Sequence, residues 1–174
     1  MSCKWKHRLI VAGSSMFAGT LAVSLAAAAS VSLTPQRMAE LQQVNTHVNS
    51  TITEVSDQEL YGKEDVWTLP VNGKGDCEDF ALLKQKLLVE RGWPRSALKV
   101  AAVHTPQGEA HAVLTAETDK GTLVLDNKVS SIRPASATGY TFLSQQSGKN
   151  PSKWVNTNTG EQTDTPTADL PLAK

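Results

Sequence analysis

The chain has 174 residues, with 17 basic and 17 acidic side chains, zero formal net charge and a sequence pI of about 6.9. That balance leaves no basic footprint for nucleic acid. The length fits one domain with a modest core, with or without flexible ends.

The first eight residues carry Lys4, Lys6 and Arg8, and an apolar run follows from Leu9 to Ala29, ending in Ala26-Ala27-Ala28-Ala29. A basic start, an apolar stretch and a small-residue end predict a secretory signal peptide over 1–29 and export of the remainder. The competing reading is an uncleaved anchor, because the run approaches the roughly 20 residues that span a bilayer. Gly13, Ser14, Ser15, Gly19 and Thr20 dilute its apolar character and favour cleavage. Cleavage removes Cys3. The mature chain then holds Cys77 alone and can form no internal disulfide.

Thr34-Pro35 reads as an N-cap with proline at the first helical position, and Met38, Leu41, Val44 and Val48 continue at helical spacing to about residue 50. The stretch 54–75 is polar and reads as a long loop carrying Tyr61, Trp67 and Pro70. A second helix is predicted from Cys77 to Arg91, with Phe80, Leu83 and Leu87 as its buried stripe and Gly92 and Pro94 as its stop. Three strand-like runs follow, at 98–104, 110–116 and 122–128. Thr105-Pro106-Gln107-Gly108 and Thr118-Asp119-Lys120-Gly121 separate them as turns, which makes an antiparallel meander. A fourth short strand is expected at 140–143. The globular part spans 34–155, and the tail 156–174 has too little to bury and is expected to be disordered.

Cys77 sits between acids in Asp76-Cys77-Glu78-Asp79 at the start of that second helix. Carboxylates disfavour a neighbouring thiolate, whereas a helix N-terminus favours it, so the two influences conflict. A reactive cysteine needs a base, and His47, His104 and His111 are the candidates. If Thr118 pairs with Gly121, Val113 stands opposite Asp126 and His111 opposite Lys128. His111 and Asp126 are then diagonal neighbours on one sheet face, roughly 7 Å apart at Cβ. His104 lies one strand further away. The pattern is a nucleophile, Cys77, a base, His111, and an orienting carboxylate, Asp126, as thiol acyl transfer requires. Taken singly the residues have plainer explanations, including a capping box built from Asp76 and Asp79.

"GDCEDFA" at 75–81, "HAVL" at 111–114 and "VLDN" at 124–127 together resemble the bacterial transglutaminase-like cysteine peptidases, the LapG-like group. "ELYGKEDVW" at 59–67 and "YTFLSQQSGKNPSKWV" at 140–155 extend the likeness, which covers about residues 40–155. The resemblance implies a papain-like or transglutaminase-like α+β fold with the cysteine helix packed on an antiparallel sheet. It also implies Cys77, His111 and Asp126 as the triad. Its best-understood members are periplasmic, calcium-dependent proteases, so it implies a Ca²⁺ site at Asp76 and Glu78, with Asp79 and Asn127 as further ligands. A large surface adhesin as protein substrate and a membrane-bound regulator are the partners it suggests. "RPASATGY" at 133–140 replaces the Arg-Asp-Leu segment associated with adhesin-cleaving members. Two further readings stay open: amide transfer or peptidoglycan amide hydrolysis by the same triad, and a calcium-binding module with an inert cysteine.

Overall fold

The computed structural model describes residues 31–150 and 152–164. The expected signal peptide and residues 165–174 of the tail lie outside the described residues. The fold is α+β, two helices packed against one face of a large antiparallel sheet.

Helix α1 (Pro35–Thr51) begins as its sequence predicts, with Thr34 Oγ1 accepting the Arg37 N–H at 3.2 Å. Short strands β1 (Thr53–Glu54) and β2 (Lys74–Gly75) pair in parallel, and the short helix α2 (Asp57–Tyr61) lies between them in sequence. The long loop expected over 54–75 is therefore partly structured. Side-chain carboxylates bind its backbone: Val66 N–H donates to Asp57, and Thr68 N–H to Asp79 Oδ1 at 3.2 Å.

Helix α3 (Cys77–Glu90) ends in a Schellman motif. Gly92 has φ +82, its N–H donates to Val89 O at 2.9 Å, and Trp93 N–H donates to Leu88 O at 3.0 Å.

The sheet then forms from β3 (Leu98–His104), β4 (Ala110–Thr118), β5 (Gly121–Leu125), β6 (Arg133–Pro134), β7 (Thr141–Gln146), β8 (Lys153–Asn156) and β9 (Gln162–Asp164). Their order is β6-β5-β4-β3-β7-β8-β9, with every pairing antiparallel. Thr118 stands opposite Gly121 and Leu114 opposite Leu125, the register the turn residues imply. Strand β5 stops at Leu125 rather than Lys128, because the Asp126 carboxylate accepts the Lys128 N–H at 2.9 Å and turns the chain.

The tail was expected to be disordered from Asn156. Its described part instead forms a hairpin, Lys153 opposite Asp164. Trp154 anchors its first strand in the core, and turn chemistry closes it: Asn156 Oδ1 accepts from Asn158 N–H and Thr159 N–H, and Gly160 adopts φ +70.

The main core lies between the helices and one sheet face. Leu41, Val44 and Val48 of α1 and Phe80, Ala81 and Leu88 of α3 meet Val100, Ala102, Ala112 and Leu114 of the central strands. Truncating a fully buried leucine such as Leu88 to alanine should cost about 2–5 kcal/mol. The opposite face carries a smaller cluster of Ala101, Val103, Val113 and Val124, against which Tyr140 and Phe142 pack. Alanines at 102 and 112 leave the cysteine helix room to approach the sheet closely.

Candidate active site

Two ends of secondary structure meet at Cys77. It is the first residue of α3 and almost wholly buried. The β4–β5 ladder ends at Leu114 and Leu125. The next amide of β4 on that edge, Ala112 N–H, has no strand to bond and donates to Cys77 Sγ at 3.2 Å. Such a donor favours negative charge on sulfur, as does the helix N-terminus. Glu78 Oε2 acts the other way from 3.3 Å.

His111, the residue before that amide, is 1% exposed and bonds through Nε2 to Asp126 Oδ1 at 2.9 Å. Burial works to raise the Asp126 carboxyl. It is outweighed by the His111 hydrogen bond and charge, the Tyr140 hydroxyl and the Lys128 N–H, which hold it at about 2. An ionised Asp126 requires the proton on His111 Nε2, which leaves Nδ1 as the lone-pair nitrogen. Nδ1 is buried with no hydrogen-bond partner among the described residues. His104 pairs with Ala110 at the other edge of β4, and His47 is exposed on α1.

Five carboxylates gather beside the cysteine. Asp57, Asp76 and Asp79 bring oxygens within 4.8 Å of one another, and so do Asp57, Asp65 and Glu78. Asp76 occupies the N-cap position of α3 yet makes no side-chain capping bond, and Asp79 turns its Oδ1 to Thr68 N–H. The half of a capping box that the Asp76 side chain would supply is therefore not formed. Asp57 Oδ1, Asp65 Oδ1, Asp76 Oδ1 and Asp79 Oδ2 are buried without hydrogen-bond partners among the described residues. Burial raises Asp76 to about 6, with the charges of Asp57 and Asp65 adding to it. Burial likewise raises Asp79 to about 7, aided by Asp76 and Asp57, and lifts Glu78 well above its ordinary value.

Buried, mutually repelling, oxygen-only donors fit a hard cation such as Ca²⁺, which takes 6–8 oxygen ligands. The packing is specific: a Cβ at Gly75 would lie 2.5 Å from Asp79 Oδ2. Asp57 and Asp65 were not anticipated from sequence, where they read as ordinary residues of a polar loop. Asn127 Oδ1 is also buried and unpartnered, but no hydrogen bond or ion pair ties it to the cluster.

Tyr140 is the other residue that sequence reasoning missed. Its hydroxyl donates to Asp126 Oδ2 at 2.5 Å, and its ring meets the His111 ring edge-on at 5.9 Å. Trp67 sits edge-on to Trp154 at 5.1 Å.

Residues 20–162 match the family model of the bacterial transglutaminase-like cysteine proteinases. A comparison with curated proteins gives no match. Among solved structures, calcium-bound LapG of Legionella pneumophila is 27% identical with a TM-score of 0.61, over 75% of this chain and 74% of that one. The EGTA-treated form of the same protein gives 27% identity and a TM-score of 0.60, over 72% and 70%. A third LapG structure gives 28% and 0.58, over 68% of each chain.

Proposed function

The chain belongs to the bacterial transglutaminase-like cysteine proteinases, and from that membership we propose an exported, calcium-dependent peptidase working through Cys77, His111 and Asp126. The observation that carries this reading is the pairing of two contacts on adjacent residues. Ala112 N–H is bonded to Cys77 Sγ, while His111 is bonded to Asp126 through Nε2 and keeps Nδ1 uncommitted.

The chemistry follows from those atoms. The reacting form of Cys77 is the thiol, and it is the single cysteine of the chain once the expected signal segment is removed. His111 Nδ1 takes the thiol proton, and Sγ attacks a peptide carbonyl carbon. The carbon–nitrogen bond breaks, with the proton passing from His111 to the departing amine. Water, deprotonated by His111, then attacks the thioester and releases the acid and the thiol. Asp126 holds the imidazole in one tautomer throughout and stabilises the imidazolium. Cys77 N–H at the helix start and Trp67 are the proposed donors to the developing oxyanion.

Asp57, Asp65, Asp76, Glu78 and Asp79 are the residues proposed to hold calcium, with Asn127 added by family resemblance alone. Bound calcium supplies the positive charge that these carboxylates lack, so that Glu78 no longer opposes a thiolate 3.3 Å away. That resolves the conflict at the helix start. The solved LapG described as calcium-bound supports the assignment. The proposed substrate is an exported protein, with a large surface adhesin as its class, in the periplasm and under a membrane-bound regulator.

The test is cleavage itself. Surface proteins from cells with and without this chain are compared for fragments with new N-termini, and purified protein is then asked to produce the same cuts. Production of those cuts by the Cys77→Ala protein overturns the reading.

A further inference from the structure

Asp126 carries more contacts than the orientation of one histidine needs. Oδ1 accepts from His111 Nε2 and from Lys128 N–H, each at 2.9 Å. Among the described residues, Oδ2 accepts only from the Tyr140 hydroxyl, at 2.5 Å. The same tyrosine ring stands edge-on to the imidazole at 77°. One side chain thus touches both members of the pair.

The chain goes to some length to place it. Thr138 is buried, donates its hydroxyl to Ala135 O at 2.7 Å and accepts the Tyr140 N–H at 3.1 Å. Gly139 between them has φ +74, with the Pro106 ring 3.2 Å from where its Cβ would stand. A left-handed residue and a side-chain-locked turn fix the direction in which Tyr140 leaves the backbone. The ring then rests on the small cluster of the outer sheet face.

We propose that Tyr140 is a positioning residue for the peptidase reaction: its hydroxyl pins Asp126 Oδ2 and its ring walls the imidazole, so His111 Nδ1 is held in one place. This rests on the reading of His111 as base. Without the hydroxyl, the carboxylate keeps two of its three bonds, both on one oxygen, and can rock about that oxygen. His111 Nε2 rocks with it, and the rigid ring carries Nδ1 along. Small displacements of a catalytic group cost much rate even when binding is intact. Burial and the Asp126 charge push the Tyr140 phenol well above its ordinary value, so it remains a donor at any working pH.

The experiment compares Tyr140→Phe, which keeps the ring and deletes only the hydroxyl, with Tyr140→Leu, which removes both. Three quantities are read: kcat and KM on a cleaved peptide, the melting temperature, and the ¹⁵N-correlated ring N–H signal of His111. Tyr140→Phe should lower kcat about 10–100-fold with KM unchanged, and should move or broaden the His111 ring signal. Tyr140→Leu should lose more. A structural role would instead lower the melting temperature and leave kcat per folded molecule alone. Wild-type kcat in Tyr140→Phe with an unmoved ring signal overturns the proposal. The ring signal does not depend on Cys77, so it judges Tyr140 even if Cys77→Ala shows the peptidase reading to be wrong.

Discussion

His111 Nε2 stands 2.9 Å from Asp126 Oδ1, and the two side chains are sealed from solvent together. Removing either should therefore matter more than removing a surface ion pair. His111→Ala should abolish turnover. Asp126→Asn should lower kcat by about 10⁴, the loss seen when an orienting aspartate can no longer hold the base in its tautomer. Single-turnover rates on a cleaved peptide, with circular dichroism to verify folding, check both. A His111→Ala protein that turns over normally would return His104 to consideration.

The elements that sequence reading placed well are those with local signatures. Thr34-Pro35 and Gly92 mark helix ends through backbone geometry, and the turn from Thr118 to Gly121 fixes the β4–β5 register by itself. His111 and Asp126 could be brought together because only one hairpin separates them. Tyr140 could not, since its approach to Asp126 depends on β7 crossing to the far side of β3 with a register shift between Ala102 and Val103. Asp57 and Asp65 were equally hidden. In a polar loop they look solvated, and only the fold of 54–75 over α3 shows that their oxygens are buried beside Glu78.

The proposed nucleophile requires processing of the chain. Mass spectrometry of protein from its native host should find an N-terminus near Ser30, after the alanine run. That form holds one cysteine, so denatured protein should titrate with one thiol per chain. Native protein should lose activity in step with alkylation of Cys77. Intact Met1 in a membrane fraction would favour the anchored reading instead.

Gly75 offers a test of the carboxylate cluster that leaves every charge in place. An alanine Cβ there would meet Asp79 Oδ2 at 2.5 Å and Asp79 Cβ at 2.7 Å. Asp79 must move, at an overpacking cost of about 1–3 kcal/mol. Gly75→Ala should thus lower both the melting temperature and the calcium affinity measured by calorimetry. Unchanged affinity in a folded Gly75→Ala protein would take Asp79 out of the site.

The strongest test of the cluster is its response to pH with and without calcium. Without a cation, Asp76 at about 6 and Asp79 at about 7 bind protons in the folded state that they release on unfolding, where carboxyls titrate near 4. The unfolded state binds fewer protons in that window, so stability must fall as pH rises from about 4 to 7. The loss is on the order of a few kcal/mol, shared across the group because its members interact. Calcium needs the same carboxylates ionised, so its affinity should rise over this window and its binding should release protons. Melting temperature in EGTA should therefore decline from pH 5 to pH 7.5, and saturating calcium should cancel the decline. At a hundred times the dissociation constant the gain is about 2.7 kcal/mol. Mg²⁺, smaller and stricter in geometry, should restore less. Asp76→Asn and Glu78→Gln should flatten the EGTA curve while removing the calcium response and the activity. Identical melting curves with EGTA and with calcium, at every pH, would leave the acids beside Cys77 without a cation and the calcium dependence without support.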